Sequence, residues 1–320
     1  MSTALALSQF DIFPALPIGL IKLTGADSKK FLQGQLTCDL DLLSPQHSLL
    51  GAHCDPKGKA LAIVQLLQCQ DAILALQAKN NTASHLPNLK KYAVFSQVEI
   101  TDASELFVFT GLLGEQASQW LTQHSAIPAE NQDSIECEFG IVTTFPLQVG
   151  EQPRYLVISN EIQAAALHAQ LPDSANTQSS SLWQALDILS GTPQVSPLIS
   201  GEFVPQMLNM QMVEGISFTK GCYIGQETIA RMHYRGINKR AMFILSSTSQ
   251  LELQAGDSLE RQVDSGWRNA GTIIASQTTE NSTVILATLP IDSEVGCQMR
   301  VKNSDDLLTL TTPSYFKLAQ

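Results

Sequence analysis

A lysine, a thiol, a phenol and a carboxylate fall within eight residues, in Lys220-Gly-Cys222-Tyr223-Ile-Gly225-Gln226-Glu227. Between residues 217 and 240 five cations, Lys220, Arg231, Arg235, Lys239 and Arg240, stand against one acid, Glu227. The segment is therefore locally +4 in a chain of formal net charge −11. That inversion suits an extended polyanion, and the plainer alternative is a solvated basic face. Gly221 and Gly225 flank Cys-Tyr-Ile, after which Gln226 to His233 is predicted to be helical, with Ile229, Ala230 and His233 on one side. Backbone amides at that helix start favour a carboxylate, a phosphate or the thiolate of Cys222. Cys222, between Lys220 and the helix start, is the cysteine expected to be reactive; its alternative is a buried inert thiol. No His/Asp pair can be tied to it, so a cysteine-protease arrangement is not supported.

The rest of the composition bounds the answer. A chain of 320 residues with 44% hydrophobic and 15% charged residues predicts two or three folded domains and excludes long disorder, collagen and coiled coil. The overall negative charge repels phosphate backbones and anionic membranes, so any anion site must be local. No cation precedes Lys22, which argues against a secretory or Arg-rich transit leader. No apolar run approaches the ~20 residues of a membrane helix, and a cytoplasmic location is expected. The six cysteines form no C-x-x-C pair, so neither a metal site nor a disulfide scaffold is expected.

Positioning these residues requires the following elements. Gly19 to Thr24 reads as a strand, followed by a helix capped by Asp27 or Ser28. His53-Cys-Asp-Pro-Lys-Gly-Lys59 is a turn joining two strands into a hairpin, and Ala72 to Gln77 continues the sheet. Ala83 to Tyr92 is predicted helical, with Lys90 and Lys91 at its basic end. From residue 101 the order is strand, helix, strand, strand, helix, as in an α+β subdomain. Asp173 to Ser181 is a polar loop and Trp183 to Leu189 a short helix. The three-proline run from Thr192 to Pro205 is expected to cross the surface as extended chain, with nothing helical. Beyond Ala241, short alternating segments predict an all-β barrel. The fold class is thus α+β, with a core of residues 1–100 and 182–240, an α+β subdomain of 101–181 and a barrel of 241–320.

Lys220-Gly-Cys-Tyr-Ile-Gly-Gln-Glu227 resembles the K-G-C-Y-x-G-Q-E signature of the YgfZ family of folate-binding proteins. Thr24-Gly-Ala-Asp-Ser, Gln33-Gly-Gln-Leu-Thr, the His53 turn, Lys90-Lys-Tyr-Ala-Val-Phe-Ser, Phe203-Val-Pro-Gln, Arg235-Gly-Ile-Asn-Lys-Arg and Gly266-Trp-Arg-Asn-Ala-Gly-Thr extend the likeness from about residue 20 to about residue 275. The resemblance implies a fold like that of the glycine-cleavage aminomethyltransferase (T-protein), with a folate-binding core, an inserted ferredoxin-like α+β subdomain and a C-terminal β-barrel. It implies tetrahydrofolate or a one-carbon derivative as cofactor, and a cytoplasmic role supporting iron–sulfur-dependent enzymes and tRNA modification by thiomethylation, with a regulatory aspect. A pterin needs an aromatic face and cations for its glutamate tail. Trp183 matches a family folate tryptophan; with Lys220, Tyr223, Gln226, Glu227, Arg231 and Arg235 it makes up the expected folate-binding set, and Cys222 is the candidate reactive thiol. The family's second folate tryptophan aligns with Ile18. The aminomethyltransferases place an essential Asp in the loop corresponding to Ala78 to His85, which here holds no acid.

Three functional readings follow. The favoured one is a folate-binding accessory protein rather than an enzyme, and not an active glycine-cleavage aminomethyltransferase. Iron–sulfur or tRNA-modifying enzymes are then the expected partners. The alternative is a folate-dependent one-carbon transferase with an unidentified acceptor, using Glu227 and His233 as acid–base groups. Direct tRNA binding through the basic segment is expected to be weak, because the chain as a whole is acidic.

Overall fold

The computed structural model describes residues 7–145 and 152–317. Among these residues the chain divides into two compact units, one holding the chain up to Gly51 together with Val64–Trp183, the other Ala52–Ile63 and everything from Gln184 onward. The N-terminal strand pairs into the sheet of the 101–181 region.

In the first unit the strands are β1 (Asp11–Phe13), β2 (Ile18–Thr24), β3 (Leu49–Cys54), β4 (Ala60–Cys69), β5 (Ala72–Ala78) and β6 (Glu99–Asp102), with helices α1 (Ser28–Gln33) and α2 (Thr82–Lys90). The order β3-β4-β5-β2-β6 makes one sheet, and the turn end of the β3–β4 hairpin belongs to the other unit. Strand β5 is buried on both faces from Ala72 to Gln77, as its unbroken apolar run requires. Next come β7 (Val108–Leu113), α3 (Glu115–Gln123), β8 (Ser134–Cys137), β9 (Gly140–Thr144), β10 (Arg154–Ser159), α4 (Glu161–Gln170) and β11 (Asn176–Thr177), and then α5 (Ser180–Leu189), whose residues from Gln184 on belong to the other unit. A second sheet runs β11-β1-β7-β10-β9-β8. One of its faces carries Ile12, Leu112, Val142 and Val157 into a core with Trp120 and Leu121 of α3 and Leu167 of α4. Asn160 starts α4 with a capping box, its Oδ1 accepting from the Gln163 amide at 2.9 Å.

In the second unit α6 (Gln226–Arg235) precedes β12 (Arg240–Ser247), β13 (Ser258–Val263), β14 (Gly266–Thr278), β15 (Thr283–Pro290), β16 (Met299–Val301) and β17 (Leu307–Thr311). These strands close a barrel in the order β12-β15-β14-β13-β16-β17, which leaves no free edge. Phe243, Leu245, Leu259, Ile273, Ile285, Leu289 and Met299 fill it. The proline-rich run departs from expectation. Pro197–Ile199 and Pro205–Leu208 form short 3-10 turns, each with proline at its first position, where the missing N–H costs nothing. Pro193, Val195 and Ile199 are buried, so apolar side chains draw this run inward rather than leaving it on the surface.

Candidate functional site

The basic segment is organised around a contact between two turns. In the hairpin turn, Asp55 Oδ1 accepts the amides of Lys57 and Lys59 at 2.9 and 2.8 Å, and the Gly58 amide donates to Asp55 O at 2.9 Å. Gly225, at φ +84°, precedes α6 and lies against this turn. Helix α6 ends on Gly236 at φ +59°, whose amide donates to His233 O. The Ile229 carbonyl on the inner face accepts from Gln206 Nε2 at 2.7 Å.

The four-residue stretch Lys220–Tyr223 separates its side chains by direction. Lys220 and Tyr223 are buried, with the ammonium 5.2 Å from the phenol ring centroid, a cation–π pair. Cys222 is exposed. Burial pushes the Tyr223 hydroxyl up, with a smaller push from Cys54, and burial likewise raises Cys54, helped by Asp55. His53 is lowered to about 4 by burial and is neutral at pH 7. The Lys220 ammonium thus lies over a phenol ring that is neutral at pH 7. Gln226 is half-buried at the helix start. Glu227, Arg231 and Arg235 recur every fourth residue along the exposed side of α6. Of the three residues expected on one side, Ile229 is buried, Ala230 half-buried and His233 exposed, its ring stacked on Phe218 at 3.7 Å between centroids.

Trp183 belongs to the other unit and is only 3% exposed. It lies on the sheet face opposite α3 and α4, against Gly111, where a Cβ would come within 2.5 Å of the indole. Phe13 and Phe145 meet it edge-on, at centroid distances of 5.1 and 5.5 Å. The Arg154 guanidinium is 5.2 Å from the indole centroid and 4.9 Å from that of Phe145. Ile18 is half-buried on β2, paired with Ala78.

Similarity to known proteins sets this geometry in a family. The profile described as "YgfZ, beta-barrel domain" matches residues 238–306. The tRNA-modifying protein YgfZ of Colwellia psychrerythraea (strain 34H) is 40% identical over 305 residues, covering 94% of this chain and 92% of that protein. This chain belongs to the YgfZ family. The tRNA-modifying protein YgfZ of Escherichia coli O7:K1 is 35% identical, with 92% and 90% covered. Among solved structures, the glycine cleavage system aminomethyltransferase T of Bartonella henselae superposes with a TM-score of 0.65 at 15% identity, covering 96% of this chain and 86% of the other. The YgfZ-family chain thus has the T-protein fold, with its C-terminal barrel.

From the end of β5 into α2 of this YgfZ-family chain, the segment expected to lack an acid carries a network of amides and hydroxyls. Ser84 Oγ donates to Asn81 Oδ1 at 2.8 Å, Gln77 Nε2 donates to Thr82 Oγ1 at 3.4 Å, and Gln77 Oε1 lies 2.8 Å from His85 Nδ1. Sequence reasoning singles out the Lys220–Glu227 loop but not what holds it. Gly58 and Gln206 escape because their partners, Gly225 and Ile229, are distant in sequence. Arg154 escapes because a lone arginine in an apolar strand announces no stacking partner. Two glycines at positive φ, Gly58 and Gly225, are the available signal of a close backbone approach.

Proposed function

We propose that this chain binds a reduced folate and serves as an accessory protein in tRNA modification, supporting iron–sulfur-dependent thiomethylation rather than catalysing aminomethyl transfer. The relatives are named tRNA-modifying proteins, and the fold is that of an aminomethyltransferase. The observation that carries the reading is the Lys220–Tyr223 pair. A buried cation beside an aromatic ring is the donor set that an aromatic, carboxylate-bearing ligand takes. Arg231 and Arg235 supply further cations for an anionic tail, with Gln226 as an amide donor and Glu227 as an acceptor. Trp183 does not offer a free face as packed: a pterin stacked on it requires Arg154 and Phe145 to withdraw. The hydroxyl and amide network after β5 supports the accessory role, because the segment Ala78 to His85 supplies no carboxylate of its own to take a proton from an amine. Cys222, exposed beside the pair, is the thiol available for exchange or for protecting a cluster.

Calorimetry with tetrahydrofolate tests the reading. The wild-type chain binds, and Lys220→Met weakens binding by about 10- to 100-fold, the loss of one charge-assisted contact. No heat at high micromolar ligand defeats the folate assignment. Ammonia release from an aminomethyl-lipoyl carrier in the presence of tetrahydrofolate would overturn the accessory assignment.

A further inference from the structure

The folate reading uses Glu227, Arg231 and Arg235 of α6 and leaves its aromatic surface unused. Tyr234 is 72% exposed, a large aromatic on a helix that has apolar contacts available on its other side. Its ring meets His233 edge-on at 5.0 Å, and His233 in turn stacks on Phe218 with an interplanar angle of 16°. Three rings therefore adjoin one another, His233 and Tyr234 exposed and Phe218 half-buried. Exposed Arg231 and Arg235 share the helix with them, exposed Lys239 and half-buried Arg240 follow it directly, and Glu227 is the one acid on the exposed side of α6. Among the described residues none of these four cations has a carboxylate within ion-pair distance. A cationic face whose charges pair with no acid, on a protein of net charge −11, is set against the charge of the rest of the chain.

We propose that this face, Tyr234 and the Phe218–His233 stack flanked by Arg235, Lys239 and Arg240, binds single-stranded RNA. Cations without internal partners fit phosphates, and exposed rings fit unstacked bases, each of which has a π-face to cover them. An acidic peptide would satisfy the cations and leave the rings uncovered. Duplex RNA would present phosphates but keep its bases stacked inside. The proposal goes beyond the folate reading, since a folate accessory protein need not touch RNA itself. The acidity of the remaining surface makes the contact salt-sensitive and modest in strength.

The test is fluorescence anisotropy of a labelled single-stranded oligoribonucleotide of about 12 nucleotides, a length within the usual single-strand site sizes. The full chain is titrated at several salt concentrations. Tyr234→Ala is expected to weaken binding by about 5- to 100-fold, one stacked base. Lys239→Gln is expected to reduce the log–log salt slope by about 0.7, one phosphate. Both variants avoid Lys220, Tyr223, Arg231 and Arg235, so tetrahydrofolate binding by each stays at the wild-type value. RNA binding can thereby fail while folate binding holds, and the reverse. No anisotropy change at about 100 µM protein in low salt overturns the proposal. So does binding that Tyr234→Ala leaves unchanged, or displacement of the RNA by a polyglutamate peptide of equal charge as readily as by unlabelled RNA. Sedimentation showing that the same face is covered by a second copy, with dimers lost in Tyr234→Ala, also overturns it.

Discussion

Gly225 and Gly58 meet backbone to backbone. A Cβ on Gly225 would lie 2.8 Å from the Gly58 Cα and 2.7 Å from Asp55 O, and one on Gly58 would lie 3.0 Å from Gly225 O. Both glycines also have positive φ. Gly225→Ala combines left-handed strain with a backbone clash and is expected to destabilise the unit by about 2–4 kcal/mol, read as a lower urea midpoint. An unchanged midpoint would mean that this contact does not set the position of the Lys220–Glu227 loop.

A fully buried asparagine ties the segment before α6 to the barrel. Asn209 sits at φ +59°, its Nδ2 donating to Met242 O at 2.8 Å and to Tyr315 Oη at 3.1 Å, while its Oδ1 accepts from the Met242 amide at 2.9 Å. Asn209→Ala strands the Met242 groups without partners and forces alanine into the left-handed region. About 3 kcal/mol is expected, measured by chemical denaturation. Asn209→Gly, which relieves only the backbone, should recover part of the loss.

Burial of His53 gives stability a pH dependence of known sign. At pH 7 the imidazole is neutral both folded and unfolded. Below an ordinary pKa of 6.5 the unfolded chain takes a proton that the folded chain refuses until about pH 4. Stability contributed by this group is therefore full above pH 6.5 and lost progressively down to pH 4, about 3 kcal/mol in all. His53→Gln should flatten that limb of the unfolding free energy against pH. A wild-type slope retained in the variant would assign the dependence elsewhere.

The packing of Trp183 predicts a structural cost separate from any ligand effect. Trp183→Ala empties the space between Gly111, Phe13 and Phe145 and removes the ring beside Arg154, at about 3–5 kcal/mol. Trp183→Phe should cost less than half as much. A near-neutral Trp183→Ala would show an indole that does not hold the sheet face together.

Thiol exposure differs sharply along the chain. Cys222 is exposed, Cys38 and Cys54 are buried, and burial raises Cys54, Cys69 and Cys137. Limiting iodoacetamide should therefore modify the peptide bearing Cys222 first, as read by mass spectrometry. Faster labelling of Cys69 or Cys137 would contradict this order.

Much of the architecture is local chemistry written along the chain. The alternating apolar residues beyond Ala241 specify a half-buried sheet, and a sheet that leaves no edge must close, so the barrel is legible in the residues themselves. The signature from Lys220 to Glu227 and the excess of cations around it locate the candidate site for the same reason: they are contiguous. Where reading fails, the deciding contacts join residues far apart in sequence. Prolines mark 192–205 as non-helical, but the burial of Val195 and Ile199 lets short turns form there. Sequence alone placed Lys220, Cys222 and Tyr223 together; only the packed chain decides that Lys220 and Tyr223 face inward and Cys222 faces water. Likewise Trp183 was recognisable as an indole of interest, but only the sheet packed against it determined that glycine, guanidinium and phenyl groups already surround the ring. Composition and spacing act through neighbours along the chain, whereas burial and stacking depend on which distant backbones can approach, and that is settled only when the whole chain has packed.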